Sequence, residues 1–137
     1  MGYLIDAPKA DQIVTAKLTL KPVDLLAASI TDIPEYPAVT GYYWQVISMN
    51  GWINNGTTPY VGISSIHIQA SAAVNPQFRF ASGYLQDLNS WAFAPIIALN
   101  TIKQFVPDDY LQIHNPTALT IGDSDLTLYI TAILIPF

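Results

Sequence analysis

The chain contains no cysteine, so disulfides and thiolate metal sites are excluded, and no redox compartment is legible. It is also short of charge. Asp, Glu, Lys and Arg make up 11% of its 137 residues, against about 25% in ordinary globular proteins. The five basic residues (Lys9, Lys17, Lys21, Arg79 and Lys103) are scattered, and the net charge is −5. Phosphate recognition needs a clustered basic footprint, so no nucleic-acid partner is expected. Long apolar runs are missing as well. The longest stretch, Leu126 to Phe137, is interrupted by Thr127 and Thr131. It falls short of the ~18 residues of a spanning helix, so no membrane partner is expected. At the N-terminus there is no basic segment leading into an apolar core, and Asp6 stands where myristoylation favours Ser or Thr. No targeting signal is read.

What is present is apolar. Hydrophobic residues are 51% of the chain, and too few charges remain to coat the surface of an ordinary monomer. Either Thr, Ser, Asn and Gln supply the surface of a two-layer β protein, or partner subunits cover much of it. The length fits one domain with one core. That domain is expected over 13–137, with 1–12 as an N-terminal arm.

Hydrophobic periodicity points to strands. Val14, Ala16, Leu18 and Leu20 alternate with Thr15, Lys17, Thr19 and Lys21, the period-two pattern of a half-buried strand. Pro22 ends it, and residues 23–28 (VDLLAA) suit one helical turn or a tight connection. Residues 41–53 are rich in aromatic and β-branched side chains and read as one long strand or a pair. Asn50-Gly51 and Asn55-Gly56 are both type I′ hairpin candidates, with Asn55-Gly56 preferred. Val61 to Ala70 continues as strand, placing Ile66, Ile68 and Ala70 on one face and Ser65, His67 and Gln69 on the other. Strands are further expected at residues 77–81, 96–105 and 110–114, with a loop at 87–91 and a turn at Pro107-Asp108-Asp109. Seven or eight short strands, ten prolines and almost no helical period indicate an all-β sandwich, best matched by a jelly roll.

The last strand, residues 120–135, is the most informative. Leu126, Leu128, Ile130, Ala132 and Leu134 form one apolar face, as a core side should. The other face begins with Thr127 and Thr131 but also carries Tyr129, Ile133 and Ile135. A solvent-facing sheet would not be apolar on both sides. Either a second layer of the same chain covers this face, or a neighbouring subunit does. Gly122, in the turn that opens the strand, is expected at positive φ, where Val would cost roughly 1 kcal/mol or more.

Little in the chain resembles catalytic chemistry. No Cys or Ser nucleophile sits in a known local motif, and there is neither a phosphate-cradling Gly-rich loop nor a His-x-x-x-His pair. His67 and His114 lack a third ligand, so no metal and no cofactor are expected. Asp108-Asp109 and Asp123-Ser124-Asp125 lack the spacing of a calcium loop and suit turns better. Trp52, Tyr60 and Trp91 are candidates for a sugar-stacking platform, although aromatics in short β proteins more often serve core or interface.

Several segments carry a family resemblance. They are Leu18-Thr19 with Val23-Asp24-Leu25-Leu26-Ala27, then Gly41-Tyr42-Tyr43-Trp44-Gln45-Val46-Ile47, then Thr58-Pro59-Tyr60-Val61-Gly62, and lastly Ile121-Gly122-Asp123-Ser124-Asp125-Leu126-Thr127-Leu128-Tyr129-Ile130. In this order they are similar to small proteins encoded among the structural genes of tailed bacteriophages. That group runs as an "LT…DLLAL" opening, a "PGAGKVIVP"-like strand start, a "Y.GG"-like turn and a "GDGTLTV"-like closing strand. The chain departs from it at Tyr36-Pro37-Ala38-Val39-Thr40-Gly41-Tyr42, which replaces a small basic segment. The resemblance implies a non-catalytic virion component, assembled in the host cytoplasm: a capsid decoration or cementing protein, a head-fibre base or a small tail-associated subunit. A jelly-roll homotrimer docked on the major capsid protein or other virion proteins is the implied form, with Tyr129, Ile133, Ile135 and Phe137 at the oligomer interface. The alternative is a receptor- or carbohydrate-binding module of a phage fibre or tail.

Overall fold

A computed structural model of the chain describes residues 12–54, 56–62, 65–71, 76–81, 90–93 and 108–137. Eight strands and one helical turn are present among them: β1 (Ile13–Leu20), α1 (Pro22–Leu25), β2 (Ser29–Asp32), β3 (Tyr42–Asn54), β4 (Ser65–Ala70), β5 (Pro76–Ala81), β6 (Ser90–Phe93), β7 (Leu111–Asn115) and β8 (Asp125–Pro136). They form two four-stranded sheets, ordered β1-β8-β3-β6 and β2-β7-β4-β5. Every pairing is antiparallel, and the chain is an all-β sandwich. The pairing is nested: β1 with β8, β2 with β7, β3 with β6 and β4 with β5.

Alternation decides which side chains meet between the sheets. Along β8, Leu126, Leu128, Ile130, Ala132 and Leu134 are all fully buried. They join Ala16 from β1, Trp44, Val46, Met49 and Ile53 from β3, Ile66, Ile68 and Ala70 from β4, and Leu111 and Ile113 from β7 in one core. Tyr36 closes one end of it. Its ring meets Trp44 edge-on at 5.1 Å, and its hydroxyl lies 2.9 Å from the Val14 carbonyl and 2.8 Å from that of Ile130. Burial pushes the Tyr36 pKa well above the ordinary phenol value.

Two polar side chains, the buried Asn115 and the exposed Asp123, pin the connections between strands. The Asn115 side-chain amide donates to the carbonyls of Asp24 (3.3 Å), Leu25 (3.2 Å) and Ala27 (2.9 Å), fixing α1 against β7. Asp123 accepts from the Thr57 N–H, the Thr57 hydroxyl and the Thr58 N–H at 2.8, 2.9 and 2.7 Å. These bonds hold its pKa below the ordinary carboxylate value, the Thr58 bond contributing most. Gly122 has φ 118°, as expected.

Several local expectations are corrected. β3 runs straight through Asn50-Gly51, and Asn55 of the preferred Asn55-Gly56 turn lies outside the described residues. β3 and β4 belong to different sheets, so they are not the two arms of a hairpin. Trp91, assigned to a loop, lies in β6, where Trp52 supplies its cross-strand partner. The four-residue β2 was not anticipated; it is a largely exposed edge strand with no alternation to mark it. Val61 makes only an isolated bridge to Thr120 ahead of β4. The arm over residues 1–11, the strand at 96–105 and the loop at 87–89 lie outside the described residues.

Candidate functional site

The outward face of the β1-β8-β3-β6 sheet can be built from its register, since directly opposed residues share a face. Ile133 lies between Ile13 and Gln45, Ile135 beside Tyr43, Thr131 between Thr15 and Ser48, and Tyr129 between Lys17 and Asn50. The second sheet packs on the opposite side of β8, against Leu126 through Leu134. Tyr129, Ile133 and Ile135 are therefore half-buried, shielded by their neighbours in the sheet rather than by a second layer among the described residues. Phe137 is 67% exposed and leans edge-on against Tyr43, with ring centroids 5.8 Å apart.

The face is graded from end to end. At the start of β8 it is polar, with Lys21 Nζ 2.8 Å from Asp125 Oδ2 and Lys17 Nζ 5.8 Å from the Tyr129 ring centre. Near the chain terminus it becomes aliphatic and aromatic. A bulge between Val46 and Ser48 inserts Ile47 as an extra residue in β3. Bulges re-aim side chains, and here Ile47 is left 47% exposed while Val46 and Met49 stay in the core. Together with Ile13, 61% exposed, it extends the patch beyond the four residues anticipated from sequence. The bulge leaves Ile47 and Ser48 both exposed and reverses inside and outside for the rest of β3, so a single alternation along the strand does not give its outward face. Such side chains carry no reactive groups, and what they offer chemically is desolvation against another apolar surface.

The stacking candidates divide. Trp52 is half-buried on the same sheet face and stands opposite Trp91 in register, whose side chain lies outside the described residues. Tyr60 does not join them. It is 1% exposed, its hydroxyl donates to the Ser124 carbonyl at 2.5 Å, and burial pushes its pKa up to about 12. Gly122 packs against its ring so closely that a side chain there would collide with it. Tyr60 is a core residue, and the stacking role expected for it is withdrawn.

The remaining polar candidates are structural clamps or isolated. Asp108 accepts from the Gly41 N–H at 2.5 Å, and Asp109 accepts from the Ser71 hydroxyl and from the Tyr110 N–H. With Asp123 committed to Thr57 and Thr58, the acidic turns are occupied by backbone work. A shallow cleft near Asp32, Ile33, Pro34, Pro37, Ala38 and Tyr110 contains no histidine, serine or cysteine. Among the described residues no group of three or more His, Cys, Asp and Glu side chains converges, and no helix is long and apolar enough to cross a membrane. His67 and His114, which looked like separate strand residues, are brought together: β4 and β7 pair them in register.

No protein-family model matches the chain, and no curated protein matches it. Among solved structures it is similar to a chain of the cyanophage Pam1 capsid asymmetric unit, with a TM-score of 0.56 and 12% identity. The likeness covers 95% of this chain and 91% of the other, so it concerns the whole sandwich rather than a fragment. At that identity it is a likeness of fold.

Proposed function

We propose that the chain is a non-catalytic structural protein of a bacteriophage particle, decorating or cementing the capsid or forming the base of a head fibre. The observation that carries this reading is β8, apolar on its core face and again on the outward patch of Tyr43, Ile47, Ile133, Ile135 and Phe137. A fold shared with a chain of a phage capsid unit supports it. The nested pairing of eight strands supports a jelly roll, a sandwich in which β8 lies between β1 and β3. In this reading the outward patch meets symmetry mates in a homotrimer, whose closed symmetry also covers sheet edges that few charges protect. The trimer docks on the major capsid protein or on other virion proteins, and the protein resides in the virion after assembly in the host cytoplasm.

Copy number in purified particles tests the role. A decoration or cementing protein is present in fixed proportion to the shell subunits. A count limited to the few copies of a tail or fibre tip overturns the capsid assignment, and absence from particles overturns the virion reading. The second reading, a carbohydrate- or receptor-binding module, draws on the Trp52–Trp91 cross-strand pair. The burial of Tyr60 leaves that platform without its third member.

A further inference from the structure

The chain has two histidines, and both occupy one cross-strand position. Nε2 of His67 lies 2.9 Å from Nδ1 of His114. The rings meet edge to face, with centroids 4.7 Å apart and planes at 88°. Gln69, two residues along the same face of β4, brings its Oε1 to 3.2 Å from the same His67 nitrogen. His67 and Gln69 are 8% and 7% exposed, while His114 is half-buried. Two imidazole nitrogens and an amide oxygen thus converge on paired strands, a more rigid mounting than loops would provide.

We propose that His67, His114 and Gln69 bind a divalent transition-metal ion of the copper and nickel class. Two imidazole nitrogens with a neutral amide oxygen, and the affinity order of the divalent ions, select the class. Two metal–nitrogen bonds of about 2.0–2.1 Å set at a right angle span about 2.9 Å, whereas at the tetrahedral angle they span about 3.3 Å. The observed 2.9 Å is the separation of an N–H···N hydrogen bond, close enough that little movement would seat both nitrogens cis on one ion, and Cu2+ is the tightest binder in that series. Binding needs no net loss of a proton from the neutral pair. The proton between the facing nitrogens moves to the remote nitrogen of the donating ring, and both facing lone pairs become ligands.

The surroundings suit a partly covered site. On β7, Gln112 stands opposite Gln69 and donates to Asp32 Oδ1 of β2 at 2.8 Å. Ile30 of β2 flanks His114, and Arg79 of β5 pairs with His67 in register. Water completes the coordination.

The test is titration of the full chain with Cu2+ alone, followed by calorimetry and by pulsed electron paramagnetic resonance. The expected result is one Cu2+ per chain, with the modulation of two equatorial imidazoles and an affinity that falls as acid protonates histidine. Ni2+ should bind the same site more weakly. His67→Asn and His114→Asn should each lower Cu2+ affinity at least tenfold. Absence of binding, a spectrum with one imidazole or none, or undiminished binding to the doubly substituted chain overturns the proposal. Should the substituted chains not fold, the wild-type spectrum alone decides. None of these outcomes bears on the virion role, which rests on a different sheet.

Discussion

Replacing Gly122 with Ala probes the packing that anchors the start of β8. At φ 118° the backbone is in a region that only glycine occupies freely. An added Cβ would lie 2.6 Å from Cγ and 2.7 Å from Cε1 of Tyr60, where carbon–carbon contact is optimal at about 3.5–4.0 Å. The ring would have to retreat by about 1 Å to restore that separation. Tyr60 cannot do so freely, being 1% exposed and tied through its hydroxyl to the Ser124 carbonyl. The backbone penalty is about 1 kcal/mol and overpacking adds about 1–3 kcal/mol, so the substitution should cost about 2–4 kcal/mol. That is a large part of an ordinary domain's stability. Urea unfolding at one fixed protein concentration measures it, because the proposed self-association would make the midpoint concentration-dependent. In a Tyr60→Ala background the collision vanishes, and the cost of Gly122→Ala should fall to about 1 kcal/mol. An unshifted midpoint, or the same loss in both backgrounds, would refute the packing argument.

Asn115→Leu removes the amide that holds the carbonyls of Asp24, Leu25 and Ala27. It should cost about 2–3 kcal/mol in urea unfolding, since buried acceptors lose their donor; a loss below about 0.5 kcal/mol would mean that water replaces it. Asp123 has a lowered pKa in the folded state, so its stabilisation is complete above the unfolded carboxylate value, near about 4, and fades as pH falls through the folded value. Between about pH 5 and pH 2.5, Asp123→Asn should therefore lose less melting temperature than wild type, and parallel curves would contradict this. Ile47→Lys, at a position 47% exposed, should leave unfolding of the dissociated chain within about 0.5 kcal/mol of wild type. It should nonetheless shift sedimentation toward smaller species, and an unchanged distribution would exclude Ile47 from the interface.

What could be read in advance follows from how far apart the interacting groups lie in sequence. Strands β1 and β8 were legible because Val14 to Leu20 and Leu126 to Leu134 alternate without interruption, the inward face of β8 lying fully in the core and that of β1 placing Ala16 in it with Val14, Leu18 and Leu20 packed against its margin. Strand β3 was legible in extent but not in detail. Its bulge leaves Ile47 and Ser48 both outward between the inward Val46 and Met49, and nothing in the run Val46-Ile47-Ser48-Met49 marks an extra residue. Asn55-Gly56 has turn chemistry, yet the chain there crosses to the other sheet, a choice set by the global winding rather than by local preference. Tyr60 sits between Pro59 and Val61-Gly62, a context that suggests an exposed loop. It is buried because Gly122, distant in sequence, opens space for its ring. The proximity of His67 and His114 depends on the β4–β7 register, which neither strand encodes alone.

The most direct test of self-association through β8 is the mass of the isolated protein in solution, measured by sedimentation equilibrium at micromolar concentration, for wild type and for Ile133→Asp. Ile133 is half-buried beside Ile13 and Gln45, and packing against a symmetry mate would bury it fully. An unpaired carboxylate at that point costs several kcal/mol. Association through this face requires a stable wild-type trimer that Ile133→Asp disperses or unfolds; a wild-type monomer, or an Ile133→Asp protein that assembles normally, contradicts it.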